Sequence, residues 1–105
     1  MEMQNTSQAA GIEAAPKPGV FALVGEYDLF ASDALECEIE SRLRDVEALT
    51  LDFSACTYID SSILTVLVRA VRAYGDKLEM VVTSDGSVAR ILTVTQLDKY
   101  FPIVS

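Results

Sequence analysis

Histidine is absent from this 105-residue sequence, and cysteine occurs only at Cys37 and Cys56. Without histidine the chain lacks the side chain that most often serves acid–base catalysis near neutral pH, and the usual histidine-containing metal sites are excluded. Two separated thiols in a chain expected in a reducing compartment predict buried free cysteines rather than a disulfide or a redox pair. We therefore expect no metal ion, no other cofactor and no imidazole-dependent catalysis.

Proline and glycine are also scarce, with 3 and 5 residues, while half of the chain is apolar. This composition is typical of a folded chain, and the length suits one domain with a single core. No apolar run approaches the roughly 18 residues of a membrane-spanning helix, and residues 1–10 lack the basic and apolar regions of a secretory signal. We expect a cytoplasmic protein without membrane insertion, with a flexible tail over residues 1–11 and a single domain over residues 12–105.

Positive charge is scarce as well: 8 basic residues face 16 acidic ones, which gives a formal net charge of −8. The excess lies in the first half, since residues 1–50 hold 10 acidic and 3 basic groups (−7) and residues 51–105 hold 6 and 5 (−1). Nucleic acid and anionic lipid would be approached against repulsion, so neither is an expected partner. A solvated acidic surface explains most of the excess, and a docking surface for a basic partner is the alternative.

The most informative segment is residues 58–74, with the sequence YIDSSILTVLVRAVRAY. Apolar residues recur in it at helical spacing, at Ile63, Leu67, Val71 and Tyr74. Asp60, Ser61 and Ser62 come before them, and Asp and Ser are among the preferred N-cap residues. A helix that is apolar over most of its circumference is normally buried. The segment therefore predicts a core helix that presents two serine hydroxyls at its N-terminus, where free N–H groups and the helix dipole favour an anion.

Strands and helices alternate along the rest of the chain. Strands are predicted at residues 20–24, 49–53, 78–83 and 101–104, with a further short edge strand at 12–15; Pro102 indicates that the last strand lies at a sheet edge. Helices are predicted from Asp33, which has capping-box spacing to Glu36, and from Ser87. Residues 26–28 and 54–57 are predicted as loops. This order indicates an α/β fold with parallel strands.

Residues 51–62, LDFSACTYIDSS, resemble the STAS domain family, whose bacterial members include the anti-anti-sigma factors. The family pattern here is a strand ending in Asp-Phe/Leu-Ser, a short loop, and then an aromatic and an apolar residue before Asp-Ser-Ser-Gly-Leu. A second match is residues 25–28, GEYD, which are similar to the family's Gly-Glu-Leu-Asp. The resemblance implies a STAS-like mixed sheet of four to five strands with helices packed mainly on one face.

The resemblance also implies an anti-sigma factor antagonist, a bacterial regulator of transcription that exchanges partners. In such proteins the first serine after the Asp is phosphorylated by an anti-sigma factor that is also a serine kinase, and the unmodified form captures that kinase. Carried over by position, the phosphoacceptor is Ser61, and the partner-binding residues are Asp28, Asp60, Ser61, Ser62 and Ile63. Ile63 stands where the family has glycine, so it either hinders close approach of a partner or supplies an apolar anchor.

Other interpretations of these residues remain open. From residue chemistry alone, Asp60, Ser61 and Ser62 form an ordinary N-cap and Asp28 is a loop acid. An enzyme with a nucleophilic Ser61 would need a general base, but the sequence has neither histidine nor a Ser-x-x-Lys motif after Ser61, so no catalysis is expected. A non-catalytic STAS accessory subunit of a transporter or signalling complex is the alternative function. The oligomeric state is not predicted.

Overall fold

The computed structural model describes residues 19–104, which alternate between strands and helices. In chain order the elements are β1 (Val20–Ala22), β2 (Gly25–Tyr27), α1 (Leu29–Asp45), β3 (Leu49–Asp52), β4 (Cys56–Ile59), α2 (Ser61–Tyr74), β5 (Leu78–Val81), α3 (Ser87–Val94) and β6 (Ile103–Val104). Short 3₁₀ turns follow α2 at Gly75–Lys77 and α3 at Leu97–Lys99. The predicted tail and the predicted strand at residues 12–15 lie outside the described residues.

Two parallel sheets build the domain. The main sheet has the order β1-β3-β5-β6, and a small second sheet pairs β2 with β4. All of these described pairs are parallel. β6 lies at an edge of the main sheet, as Pro102 predicted. The α/β fold expected from the alternating elements and from the STAS resemblance is confirmed.

The parallel topology brings the N-termini of the helices to one edge of the domain. Each helix follows a strand, so each begins at the edge where the carboxyl ends of the strands meet. Backbone hydrogen bonds run from Leu23 N to Asp52 O (2.9 Å) and from Gly25 N to Ala55 O (3.0 Å). They join the chain after β1 to the chain after β3, so the backbone pairing continues from the main sheet to the small sheet. The Ser87 hydroxyl, at the start of α3, donates to the carbonyl of Thr57 at 2.5 Å. We call this region the helix-start edge.

Three local predictions were wrong. The segments predicted as loops at residues 26–28 and 54–57 contain most of β2 and the start of β4. Gly25, the first residue of β2, has a φ of 83° and redirects the chain after β1, and strand pairing continues beyond it. These short strands depend on hydrogen bonds to each other, which no local pattern reveals. Helix α1 begins at Leu29 instead of following Asp33, because Asp28 caps it through a hydrogen bond from the Phe30 N–H (3.0 Å).

The core lies between the main sheet and the helices. Its fully enclosed side chains come from every layer, including Leu51 and Met80 of the sheet, Ile39 of α1, and Ile63 and Leu67 of α2. Helix α2 packs one face on the core and leaves a mainly polar stripe exposed to solvent. Its exposed side chains are Ser61, Thr65, Arg69, Arg72 and Ala73.

The two cysteines are both free, but they differ in exposure. Cys56 is buried, as predicted, and this burial raises the pKa of its thiol. Cys37 is exposed on α1, so the prediction that it is buried was wrong. It falls between the inward positions Leu35 and Ile39 on the solvent side of an amphipathic helix.

Candidate functional site

Asp60 caps helix α2 in the way the sequence predicted. Its backbone is extended (φ −112°, ψ −174°), and its Oδ1 accepts hydrogen bonds from the backbone N–H groups of Ser62 (3.0 Å) and Ile63 (3.2 Å). Its carbonyl oxygen accepts from the Leu64 N–H at 3.1 Å. Three of the first four N–H groups of the helix are therefore satisfied by one residue.

The same carboxylate also holds the start of a second helix. Asp60 Oδ2 accepts from the backbone N–H of Leu29, the first residue of α1, at 3.0 Å. The next N–H, that of Phe30, is bound by Asp28 Oδ1 at 3.0 Å. The structure thus brings Asp28 and Asp60 to adjoining helix starts, although they lie far apart in sequence. These carboxylates already accept hydrogen bonds from the N–H groups at the helix starts, where the sequence alone indicated that an anion is favoured.

Ser61 and Ser62 differ in what their hydroxyl groups do. The Ser62 hydroxyl donates to Asp60 Oδ1 at 2.5 Å and is part-buried. Ser61 is exposed as the first residue of α2, and with respect to residues 19–104 its hydroxyl makes no hydrogen bond. Its carbonyl oxygen accepts from the Thr65 hydroxyl at 3.0 Å, which fixes the first turn. Of the two serines, Ser61 is the one whose hydroxyl faces solvent without a partner in the described chain.

The hydrogen bonds around Asp60 lower the pKa of its carboxyl. The largest cause is the hydroxyl of Ser62, followed by the backbone N–H groups of Ile63, Leu29 and Ser62, which together outweigh the opposing effect of desolvation. All of these donors favour the ionised form. Because the native pKa lies below the ordinary value of 3.8, the ionised carboxylate stabilises the fold at neutral pH.

This stabilisation should depend on pH in a defined direction. It is fully present above the ordinary pKa and is lost as the pH falls through the lowered native value. We expect the Asp60 carboxyl, followed by carbon-13 NMR, to titrate below 3.8, and Ser62→Ala to move its midpoint upward by removing the largest cause. A native midpoint at or above 3.8, or no change in the Ser62→Ala variant, would contradict the assigned hydrogen bonds.

Ile63 lies in a different place from the other candidate residues. Its side chain is 0% exposed and belongs to the core beneath the first turn of α2. An apolar anchor for a partner needs an accessible side chain, so that interpretation of Ile63 is not supported in this conformation. The side chain that replaces the family's glycine points into the protein and not toward a docking surface.

Two exposed apolar residues at this edge were missed by the sequence analysis. Leu29 and Phe30 begin helix α1 and are 64% and 93% exposed. They fell in a segment interpreted as a loop before a helix starting near Asp33. The available signal was a pair of large apolar residues directly after an aspartate that could serve as an N-cap.

Other kinds of site are not found in the described part of the chain. Among residues 19–104, no cluster of three or more His, Cys, Asp or Glu side chains is arranged to hold a metal ion. In the same residues, no helix combines the length and the apolar character needed to cross a membrane.

Comparison with known proteins identifies similar domains. The family model described as STAS domain matches residues 9–105. An anti-sigma factor antagonist from Mycobacterium paratuberculosis is similar in structure with a TM-score of 0.71 and 29% sequence identity, over 85% of this chain and 80% of that chain. A putative anti-sigma factor antagonist from Thermotoga maritima gives a TM-score of 0.67 at 20% identity, over 83% and 80% of the two chains.

A third similar structure is that of the anti-sigma factor antagonist SpoIIAA in its unphosphorylated form. It gives a TM-score of 0.62 at 16% identity, over 88% of this chain and 84% of that chain. At 16% and 20% identity, the SpoIIAA and Thermotoga matches support the fold alone. No curated protein matches the sequence.

Proposed function

Because this chain belongs to the STAS domain family, we propose that it is an anti-sigma factor antagonist controlled by phosphorylation of Ser61. In this proposal the unmodified protein binds an anti-sigma factor that is also a serine kinase, in the cytoplasm of a bacterial cell. The protein acts by binding and catalyses nothing itself. The similar structure from Mycobacterium paratuberculosis, which is named as an anti-sigma factor antagonist, supports this choice within the family.

The observation that carries the proposal is the difference between the two serine hydroxyls. A kinase needs an accessible hydroxyl, and Ser61 is exposed while the Ser62 hydroxyl is held by Asp60. Phosphorylation of Ser62 would break the cap of α2, since the same oxygen of Asp60 also binds two backbone N–H groups of the helix. Phosphorylation of Ser61 leaves these hydrogen bonds in place.

A phosphate on Ser61 would change the surface strongly and the fold little. It adds about −1.5 to −2 charges at neutral pH. It would stand beside the carboxylate of Asp60, which already occupies the N–H groups that would otherwise receive an anion. The phosphate would therefore remain hydrated, and a partner that covers Ser61 would have to remove this water and bury the added charge. Binding should weaken while the domain stays folded.

The proposed partner-binding surface contains Asp28, Asp60, Ser61 and Ser62 at the helix-start edge. Asp28 and Asp60 fix the adjoining starts of α1 and α2, so they hold the surface in shape as well as contribute charge. The role we propose for Ile63 is indirect, since its buried side chain fixes the first turn of α2 from below.

The proposal is tested by phosphate transfer. Incubation of the protein with its cognate anti-sigma factor kinase and ATP should add one phosphate to Ser61, located by mass spectrometry of peptides. Ser61→Ala should abolish the transfer, and the neighbouring Ser62→Ala should retain it. Transfer to another residue would refute the assignment of Ser61. A chain that accepts no phosphate and binds a transporter ATPase would instead support the accessory-subunit alternative.

A further inference from the structure

Leu29 and Phe30 form an apolar pair that remains largely exposed in the part of the chain that the structure describes. Phe30 is 93% exposed and Leu29 is 64% exposed, although both belong to a regular helix. Single exposed apolar residues are common on protein surfaces, but a nearly bare phenylalanine beside an exposed leucine is a substantial apolar area to leave in water. Phenylalanine, like tyrosine and tryptophan, is also enriched in protein interfaces relative to the rest of the surface.

The pair adjoins the proposed partner-binding surface. The N–H of Leu29 donates to Asp60, the residue that precedes Ser61, and the N–H of Phe30 donates to Asp28. The Ser32 hydroxyl adds a further hydrogen bond to the Leu29 carbonyl at 2.8 Å. The backbone that carries both side chains is therefore fixed before any partner arrives, which lowers the entropic cost of binding.

The surroundings of the pair are acidic. Carboxylates lie just before the helices or within their first two turns, at Glu26, Asp28, Asp33, Asp60 and Asp85. No lysine or arginine lies in the first two turns of α1 or α2, and Arg42, Arg44 and Arg72 fall in the last turns. Arg90, exposed in the first turn of α3, is the cation at this edge among the described residues, and the carboxylates outnumber it. The Nη1 atom of Arg69, further along α2, lies 3.6 Å from Oε1 of Glu36. The helix-start edge thus combines an apolar pair with negative charge.

We propose that Leu29 and Phe30 are the apolar anchor of this surface, and that they fill an apolar pocket bordered by lysine or arginine side chains on the protein partner. Charge complementarity favours such a partner over a second copy of this chain, whose own acidic edge would be repelled. This inference rests on the proposed function, because the partner is the anti-sigma factor kinase that recognises Ser61.

The test compares Phe30→Ala and Leu29→Ala with Val94→Ala. Val94 is a matched control, since it is 77% exposed and ends α3, away from the helix-start edge. Binding of the purified anti-sigma factor kinase is measured by calorimetry with each unphosphorylated variant. We expect Phe30→Ala to weaken binding by about tenfold or more, Leu29→Ala by less, and Val94→Ala not at all. Circular dichroism should show all three variants folded, because alanine favours helix at these exposed sites.

Added salt tests the charged border of the pocket. The affinity of the wild type should fall as salt is raised, and Phe30→Ala should show the same dependence on salt from a weaker starting value. The variant Ser61→Asp places a negative charge at the proposed phosphorylation site and should weaken binding by itself. If Phe30→Ala bound the kinase as tightly as Val94→Ala while Ser61→Asp bound it weakly, the anchor would be overturned and the proposed function would stand. An affinity that does not respond to salt would overturn the basic border.

Sedimentation of the chain alone tests the competing occupant. If wild type and Phe30→Ala have the same sedimentation coefficient, Phe30 does not mediate self-association, and this supports a different protein as the partner. A wild-type dimer that Phe30→Ala dissociates would overturn the proposal in favour of a second copy of this chain. Absence of any binding to the kinase by wild-type protein would overturn both the anchor and the proposed function.

Discussion

Replacing Ser61 by aspartate should weaken binding of the anti-sigma factor kinase by about 10²-fold or more, since a misplaced like charge in an interface costs several kcal/mol. The new carboxylate would join those of Asp60 and Asp28 at a surface that the partner must desolvate. Stability should change little, because Ser61 is exposed and a negative charge is favourable in the first turn of a helix. Calorimetry gives the affinity, and thermal melting followed by circular dichroism gives the stability.

Ser61→Asn is the matched control for this prediction. Asparagine has nearly the shape of aspartate without its charge, so it separates electrostatic repulsion from crowding. We expect Ser61→Asn to bind much more tightly than Ser61→Asp, and Ser61→Ala to bind like the wild type. Equal affinities for all of these forms would rule out an electrostatic switch at Ser61. Equal losses for the aspartate and asparagine variants would show that size, not charge, controls docking.

Restoring the family's glycine by Ile63→Gly should lower the free energy of unfolding by about 4 kcal/mol. The Ile63 side chain is 0% exposed, so its removal leaves a cavity in the core. Truncating a buried isoleucine to alanine costs about 2–5 kcal/mol, and glycine inside a helix adds about 1 kcal/mol. Such a loss is a large share of the total stability of a small domain, and urea denaturation would measure it.

Two variants separate the contributions to this loss. Ile63→Val removes one methylene group and should cost about 1 kcal/mol. Thr65→Gly introduces glycine at an exposed position of the same helix and also removes the hydrogen bond to the Ser61 carbonyl, so it gives an upper limit for the helical penalty without a cavity. At a temperature where Ile63→Gly remains folded, it should bind the kinase more weakly than the wild type, because the first turn of α2 loses the side chain that fixes it. A stability loss no greater than that of Thr65→Gly would contradict the burial of Ile63.

The sequence alone was sufficient for features that depend on short-range patterns. The α2 cap at Asp60, the helix that follows it and the helix from Ser87 all follow from residues within a few positions of one another. The parallel α/β fold followed from the order of the elements and from the STAS resemblance. These features are predictable because caps and amphipathic periodicity are local properties of the chain.

Tertiary structure decided the features that depend on contacts between distant segments. The pairing of β2 with β4 needs a partner far away in the sequence, and the start of α1, capped locally by Asp28, is held in addition by the distant Asp60. The exposure of Cys37 also depends on the packing of the domain, because an apolar pattern shows that a helix has a buried face without giving the exact limits of that face.

The candidate site shows the same division. Local sequence placed Ser61 at a helix start, but only the fold showed that its hydroxyl is exposed while that of Ser62 is bound to Asp60. Only the fold placed Leu29 beside Asp60, through a hydrogen bond across 31 positions. A side chain's accessibility and its distant partners are set by the packing of the whole domain, so they cannot be obtained from neighbouring residues.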